Sequence, residues 1–145
     1  MTYNVLDICK YILAYYKKNN ASLSNLKMQK ILYFLQAEFL VSKDTPCFSD
    51  PIIAWGCGPV VIQAYNQYKI YGGTLIPNYN IEDDVSHLFY EEDKELIDGI
   101  LEATFKYSSV QLTHITINQA PWKMFYIPNL DVTIPQGFIK NFFKD

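Results

Sequence analysis

Apolar residues recur at helical spacing from the first positions of the chain. Val5, Ile8, Cys9, Ile12, Leu13 and Tyr16 form one stripe, which predicts a helix over roughly 4–18. Lys17, Lys18 and Asn19-Asn20 end it, with cations near the negative end of its dipole. A second helix is predicted from a Ser22 or Ser24 cap to about Ser42. Its apolar residues (Leu26, Met28, Ile31, Leu32, Phe34, Leu35, Phe39, Leu40) nearly encircle the axis. A helix apolar on most sides is buried on most sides, so this one is expected at the centre of the fold.

The helical period fails over 46–56. Phe48 and Pro51-Ile52-Ile53-Ala54-Trp55 read as two extended pieces about a Ser49-Asp50 turn, a small hairpin. Gly58-Pro59 is expected to open a third helix, with proline in the first turn where its missing donor costs nothing. Val61, Ala64, Tyr65 and Tyr68 line one side of that helix, and Gly72-Gly73 closes it. Residues 74–84 read as a connecting loop. A long helix begins near Glu91, with Glu91, Glu92 and Asp93 in its first turn and Leu96, Ile97, Ile100, Leu101 and Phe105 on its apolar face. Ser108 and Gln111 form a capping box for a shorter helix. "NQAPWKMF" gives one more turn, and 135–144 give a terminal helix carrying Phe138, Ile139, Phe142 and Phe143. The expected architecture is mainly α: a compact multi-helix domain over 1–145, built around a central apolar helix with one short β-hairpin.

Composition narrows the function. Half of the 145 residues are hydrophobic, enough to build one domain's core. All 12 basic residues are lysine and the net charge is -3. Without arginine forks or a basic block, the chain is not expected to bind nucleic acid. Twelve tyrosines and nine phenylalanines exceed what a small core needs, so some rings are expected at a protein-contact surface. Three cysteines without a CxxC pair fit a reducing compartment. With no basic-then-apolar leader and no apolar run of spanning length, the expected location is cytoplasmic and no membrane is expected as a partner. Abundant Lys, Asn, Ile and Tyr without Arg point to AT-rich coding DNA, as in a low-GC bacterium or its phage.

The chemical candidates are few. Cys57 precedes the expected third helix, and His114 is its one plausible base, since a thiolate nucleophile needs a base or a helix N-terminus. The simpler reading is a small residue filling a tight turn. Gly56 and Gly58 are not a phosphate loop, because no Gly-Lys-Ser/Thr follows; they allow backbone angles or close packing that a side chain forbids. Asp83, Asp84 and His87 come nearest to a metal set but read as a solvated loop, and neither metal nor cofactor is expected. Lys27 and Lys30, one turn apart with Gln29 between them, mark either the solvent edge of the central helix or a functional face. Their stems are expected to lie along apolar surface with the charges outside. His114 reads as a hydrogen-bonded core or corner histidine, and Trp55 and Trp122 as packing residues. Tyr65 and Tyr68 are the expected docking tyrosines, in an aromatic interface with an acidic rim.

Three pieces, "LKMQKILYF", "PIIAWGCGPVV" and "LTHITINQAPW", resemble in order and spacing the SocA-like antitoxin family. That family, also called the Panacea domain, includes phage-associated proteins of the GepA type. It typically shows a Leu-Lys-Leu-Gln-Lys-Leu-Leu-Tyr helix, an apolar strand ending in Trp or Phe, Gly-Pro-Val, and a late Leu-Thr-His with Pro-Trp. These fall on 26–33, on 52–61, and on Leu112-Thr113-His114 with Pro121-Trp122. Met28 replaces a leucine, a packing-neutral change. Cys57 stands where a tyrosine or other residue commonly precedes Gly-Pro-Val, so its thiol is incidental to the pattern. The resemblance implies a binding protein whose motif positions Lys27, Gln29, Lys30, Trp55, Gly58, Pro59, Val60, His114 and Trp122 are structural or support a partner. Family members neutralise toxins encoded beside them, and some deliver the toxin to a cellular protease. A cognate protein toxin is therefore the expected partner, with a cellular protease as a further one. Some relatives carry an added DNA-binding domain; this chain begins directly with the shared domain, so operator binding is not expected. The competing readings are a phage-encoded regulator that binds a host protein and an enzyme using Cys57 and His114.

Overall fold

The computed structural model describes residues 1–78 and 85–144 of the chain. Asn4 caps the first helix, its side chain accepting the Leu6 N–H at 2.9 Å, and α1 (Val5–Lys18) follows with all six residues of the expected stripe buried. Ser24 caps α2 (Asn25–Lys43) by accepting the Lys27 N–H at 3.2 Å. The chain continues through β1 (Ile53–Trp55), β2 (Gly58–Val60), α3 (Ile62–Tyr68), α4 (Glu91–Phe105), α5 (Ser109–Ile117), α6 (Ala120–Lys123), β3 (Val132–Thr133) and α7 (Gln136–Phe143). The fold is mainly α with one small antiparallel sheet. As its apolar girdle predicts, α2 is the centre and packs against α4, α5, α7 and β2. No helix among the described residues is long and apolar enough to cross a membrane.

What the apolar pattern does not predict is the polar half of α2. Gln36 is buried, and its Oε1 accepts the N–H groups of Cys47 (2.8 Å) and Phe48 (3.3 Å) while its Nε2 donates to the Phe48 carbonyl at 2.9 Å. One side chain thus serves three backbone groups of an irregular segment whose Cys47 carbonyl also accepts the Tyr3 N–H at 2.8 Å. Gln29, two turns earlier, accepts the Val61 N–H at 2.9 Å and donates to Asn25 Oδ1 at 2.9 Å, and Asn25 donates to the Tyr65 carbonyl at 3.0 Å. Lys27 donates to the Phe105 carbonyl at 3.0 Å, at the carbonyl end of α4, with its ammonium 5.1 Å from the centre of the Tyr16 ring. The helix supplies side-chain partners to irregular backbone that lacks ladder bonds.

The hairpin lies later in the chain than the sequence pattern suggests. Its turn is Gly56-Cys57 and not Ser49-Asp50, with Ile53 opposite Val60 and Trp55 opposite Gly58. The segment at Cys47-Phe48 is irregular backbone held by Gln36 and does not pair as a strand of the sheet. Gly58-Pro59 does not open a helix either. Pro59 lies in β2, an edge of the sheet, whose strand order is β2-β1-β3. An edge strand tolerates a residue without N–H. The third helix starts at Ile62, and the Val61 N–H at its cap is taken by Gln29. The third strand has no counterpart in the sequence reading: Val132 and Thr133 pair with Ala54 and Ile53, and the Ile134 N–H extends the ladder to the Ile52 carbonyl at 2.8 Å.

Candidate functional site

Charge is unevenly spread along this chain. Lys69 is the one charged residue of 51–78, and Lys123 the one charged residue of 108–130. The fold joins these two stretches. α5 packs against β2, and Trp122 Nε1 donates to the Trp55 carbonyl at 2.6 Å. Trp55 in turn donates from Nε1 to Asp131 Oδ1 at 2.8 Å and meets the Tyr65 ring edge-on, centroids 5.0 Å apart. Trp122 stacks on Tyr126 with centroids 4.6 Å apart, and a Cβ on Gly56 would lie 3.3 Å from the Tyr126 hydroxyl. The two indoles therefore lock the hairpin corner to α3 on one side and to the segment after α6 on the other.

In the segment after the Trp122 turn large apolar groups stand in solvent: Met124 is 67% exposed, Leu130, which lines a groove beside the corner, 55% and Ile127 49%. The Gly56-Cys57 turn separates two open grooves. One, of about 420 Å³, is lined by Trp55, Cys57, Tyr126, Leu130 and Asp131. The other, of about 220 Å³, is lined by Leu26, Gln29, Cys57, Val60, Tyr65 and Lys69. A surface rich in aromatic and apolar groups and depleted of charge has the composition of an interface core. The exposed acids Glu91, Glu92, Glu95, Asp98 and Glu102 gather on α4, and among the described residues lining the two grooves Asp131 alone is acidic, where an acidic rim was expected.

Beneath the corner lies Lys30. It is fully buried, and its Nζ donates to the Pro59 carbonyl at 3.1 Å. Burial lowers its pKa to about 8, against a smaller opposing influence of Cys57. Gly58 sits directly above, at φ +107°, where a Cβ would come within 2.8 Å of Lys30 Cε and 3.1 Å of Thr116 Oγ1. Glycine is required there on both counts: the backbone angle and the close approach. Lys27, Gln29, Lys30, Gly58, Pro59 and Val60 are all buried or bonded inward, so they hold the hairpin from below, and of these only Gln29 and Val60 also line a groove.

Several expectations are corrected by this geometry. Lys30 is fully buried and Lys27 is 8% exposed, so neither charge stands out in solvent as expected: the Pro59 carbonyl receives the Lys30 amine inside, and the Phe105 carbonyl receives that of Lys27 in a part-buried bond. Tyr68 is buried, which pushes its phenol pKa up, and it cannot serve as a docking tyrosine; Tyr65 is half-buried and stays at the face. His114 is neither a core nor a corner residue: it is exposed in the last turn of α5, where its carbonyl accepts from Asn118 Nδ2 at 2.7 Å. Among the described residues no hydrogen bond joins Cys57 to His114. Cys9 and Cys47 are fully buried and their thiol pKa values are pushed up by burial, whereas Cys57 is half-buried in the turn. Asp83 and Asp84 lie outside the described residues, and His87 falls in a short turn, Ser86–Leu88. Met124, Ile127 and Leu130 were not foreseen. Their signal was the charge-free apolar run "MFYIPNL" after a helix of a single turn.

A family model described as "Antitoxin SocA-like, Panacea domain" matches residues 28–123. That stretch takes in most of α2, the hairpin, α3, α5 and α6. Antitoxin SocA of Caulobacter vibrioides (strain NA1000 / CB15N) is 31% identical over 109 residues, which is 69% of this chain and 58% of that protein. The chain therefore spans a little over half the length of this relative. No solved structure matches the chain. With the motif helix from Met28 onward, the Gly-Pro-Val hairpin and the Pro-Trp turn inside the matched stretch, the chain belongs to the SocA-like antitoxin family, built on the Panacea domain.

Proposed function

We propose that the chain is the antitoxin of a toxin–antitoxin pair, and that it neutralises a toxin encoded beside it by direct protein contact. Family membership supports the antitoxin role. The observation that carries the mode of action is the charge-poor aromatic face around the hairpin corner. Apolar groups left in solvent at this density favour burial by another protein surface, with each fully covered large side chain contributing about 1.5–3 kcal/mol. Trp55, Tyr65, Trp122 and Tyr126 are held by one another, so little ordering entropy is lost when a partner docks. Delivery of the bound toxin to a cellular protease is a further step that this reading accommodates.

The test is to express the neighbouring reading frame alone and together with this chain. Growth arrest in the first case and growth in the second, with co-purification of the two proteins, is the expected result. A neighbour that is harmless, or is relieved without binding, overturns the reading. Cys57→Ser separates binding from catalysis: the variant is expected to neutralise as the parent does, at a stability cost of at most about 1 kcal/mol. Loss of neutralisation by a folded Cys57→Ser protein would favour thiol chemistry instead.

A further inference from the structure

We propose that the groove beside Lys69 receives one apolar side chain of the protein partner, with a carboxylate next to it. The inference rests on the antitoxin reading and names the chemistry of its contact. The groove holds about 220 Å³, below the roughly 300–1,000 Å³ usual for small-molecule and cofactor sites and suited to a single anchor side chain. Leu26, Val60 and the Tyr65 ring give it apolar walls. The polar groups on its floor are already engaged: Gln29 bonds Val61 and Asn25 through its two amide atoms, and Asn25 bonds the Tyr65 carbonyl. A polar occupant would lose its water there and find little in exchange, whereas an apolar one loses nothing.

Charge fixes what stands beside the anchor. Lys69 is exposed, lines the groove, and makes no ion pair with any described residue. Among the described residues no carboxylate lines this groove, in contrast to its neighbour across the turn, which contains Asp131. A partner carboxylate next to the anchor meets an opposite charge, and a partner lysine or arginine there meets a like one. The partner chemistry is therefore apolar and acidic, even though this chain is itself net negative at -3.

Cys57, which lines this groove and its neighbour across the turn, offers a probe because Cys9 and Cys47 are fully buried, and the Lys69 variants tell the two grooves apart. With the purified product of the neighbouring reading frame as ligand, maleimide alkylation of Cys57 should be suppressed in the complex relative to the free protein. Lys69→Glu should slow association at low salt by about tenfold, with the gap narrowing at high salt. Lys69→Arg should associate like the parent, and circular dichroism should show all three proteins equally folded. If the product binds but Cys57 reacts equally fast in the complex, the groove is empty and the proposal falls while neutralisation stands. If Cys57 is protected but Lys69→Glu associates normally, the acidic chemistry is wrong. If the wild-type chain does not bind the product at all, this proposal and the antitoxin reading fall together.

Discussion

Lys30 carries an amine that no water reaches, and the fold gives it one carbonyl, that of Pro59. Its pKa is lowered to about 8 from an ordinary 10.5, so between those values the unfolded chain holds a proton that the folded one has released. Stability then rises with pH across that window, by up to about 3 kcal/mol from this group. The buried thiols of Cys9 and Cys47, with pKa values pushed up, work the other way above pH 9. The difference between the parent and Lys30→Met isolates the amine. Urea unfolding of both proteins from pH 7 to 10.5 should show the parent gaining on the variant as pH rises. Parallel curves would mean that Lys30 stays charged inside. Gly58 tests the same contact from above: Gly58→Ala places a methyl against Lys30 at a positive φ and should cost about 1–3 kcal/mol. A melting temperature equal to the parent's would contradict the assigned backbone angle.

Among the helices, α1 and α4 were legible because one face alone is buried and the periodicity of side chains reports it. The Ser108–Gln111 capping box was legible for a different reason, since both partners lie within one turn. α2 was half legible. Its apolar girdle announced a central helix, but its lysines and glutamines find partners far along the chain, Phe105 for Lys27 and Phe48 for Gln36. No local pattern encodes a bond across 78 residues. The hairpin was misplaced because a proline after a glycine has two uses, the first turn of a helix and the edge of a sheet. Only the neighbouring strand decides between them. The exposed apolar groups Met124, Ile127 and Leu130 were missed because an apolar run near a tryptophan reads as core until burial is known. The role given to α2 predicts its own weak point. Gln36→Leu strips three buried backbone groups of their partners, a loss of about 3 kcal/mol or more. The shift of the urea midpoint measures it, and a neutral change would mean that the 47–48 segment finds water.

Taken together, the chain divides its labour between two kinds of surface. Acidic residues gather on the outer side of α4, where they solvate the protein, while 51–78 and 108–130 meet in a face with almost no charge. That face is fixed from beneath by Lys30 and Gln29 and from the side by the Trp55–Trp122 hydrogen bond. Rigid support below and exposed apolar groups above are what a docking surface requires. Placing a charge in its middle should therefore disable the protein without unfolding it. The decisive measurement is rescue of growth by Met124→Glu and Leu130→Glu variants co-expressed with the neighbouring reading frame, beside Glu95→Gln and Glu102→Gln controls on α4. All four positions are exposed, so normal circular dichroism and melting are expected throughout. The face variants should fail to rescue and fail to co-purify with the toxin, and the α4 controls should do both. Full rescue by Met124→Glu and Leu130→Glu, or loss of rescue confined to the α4 variants, would place the docking surface elsewhere and contradict the role assigned to the hairpin corner.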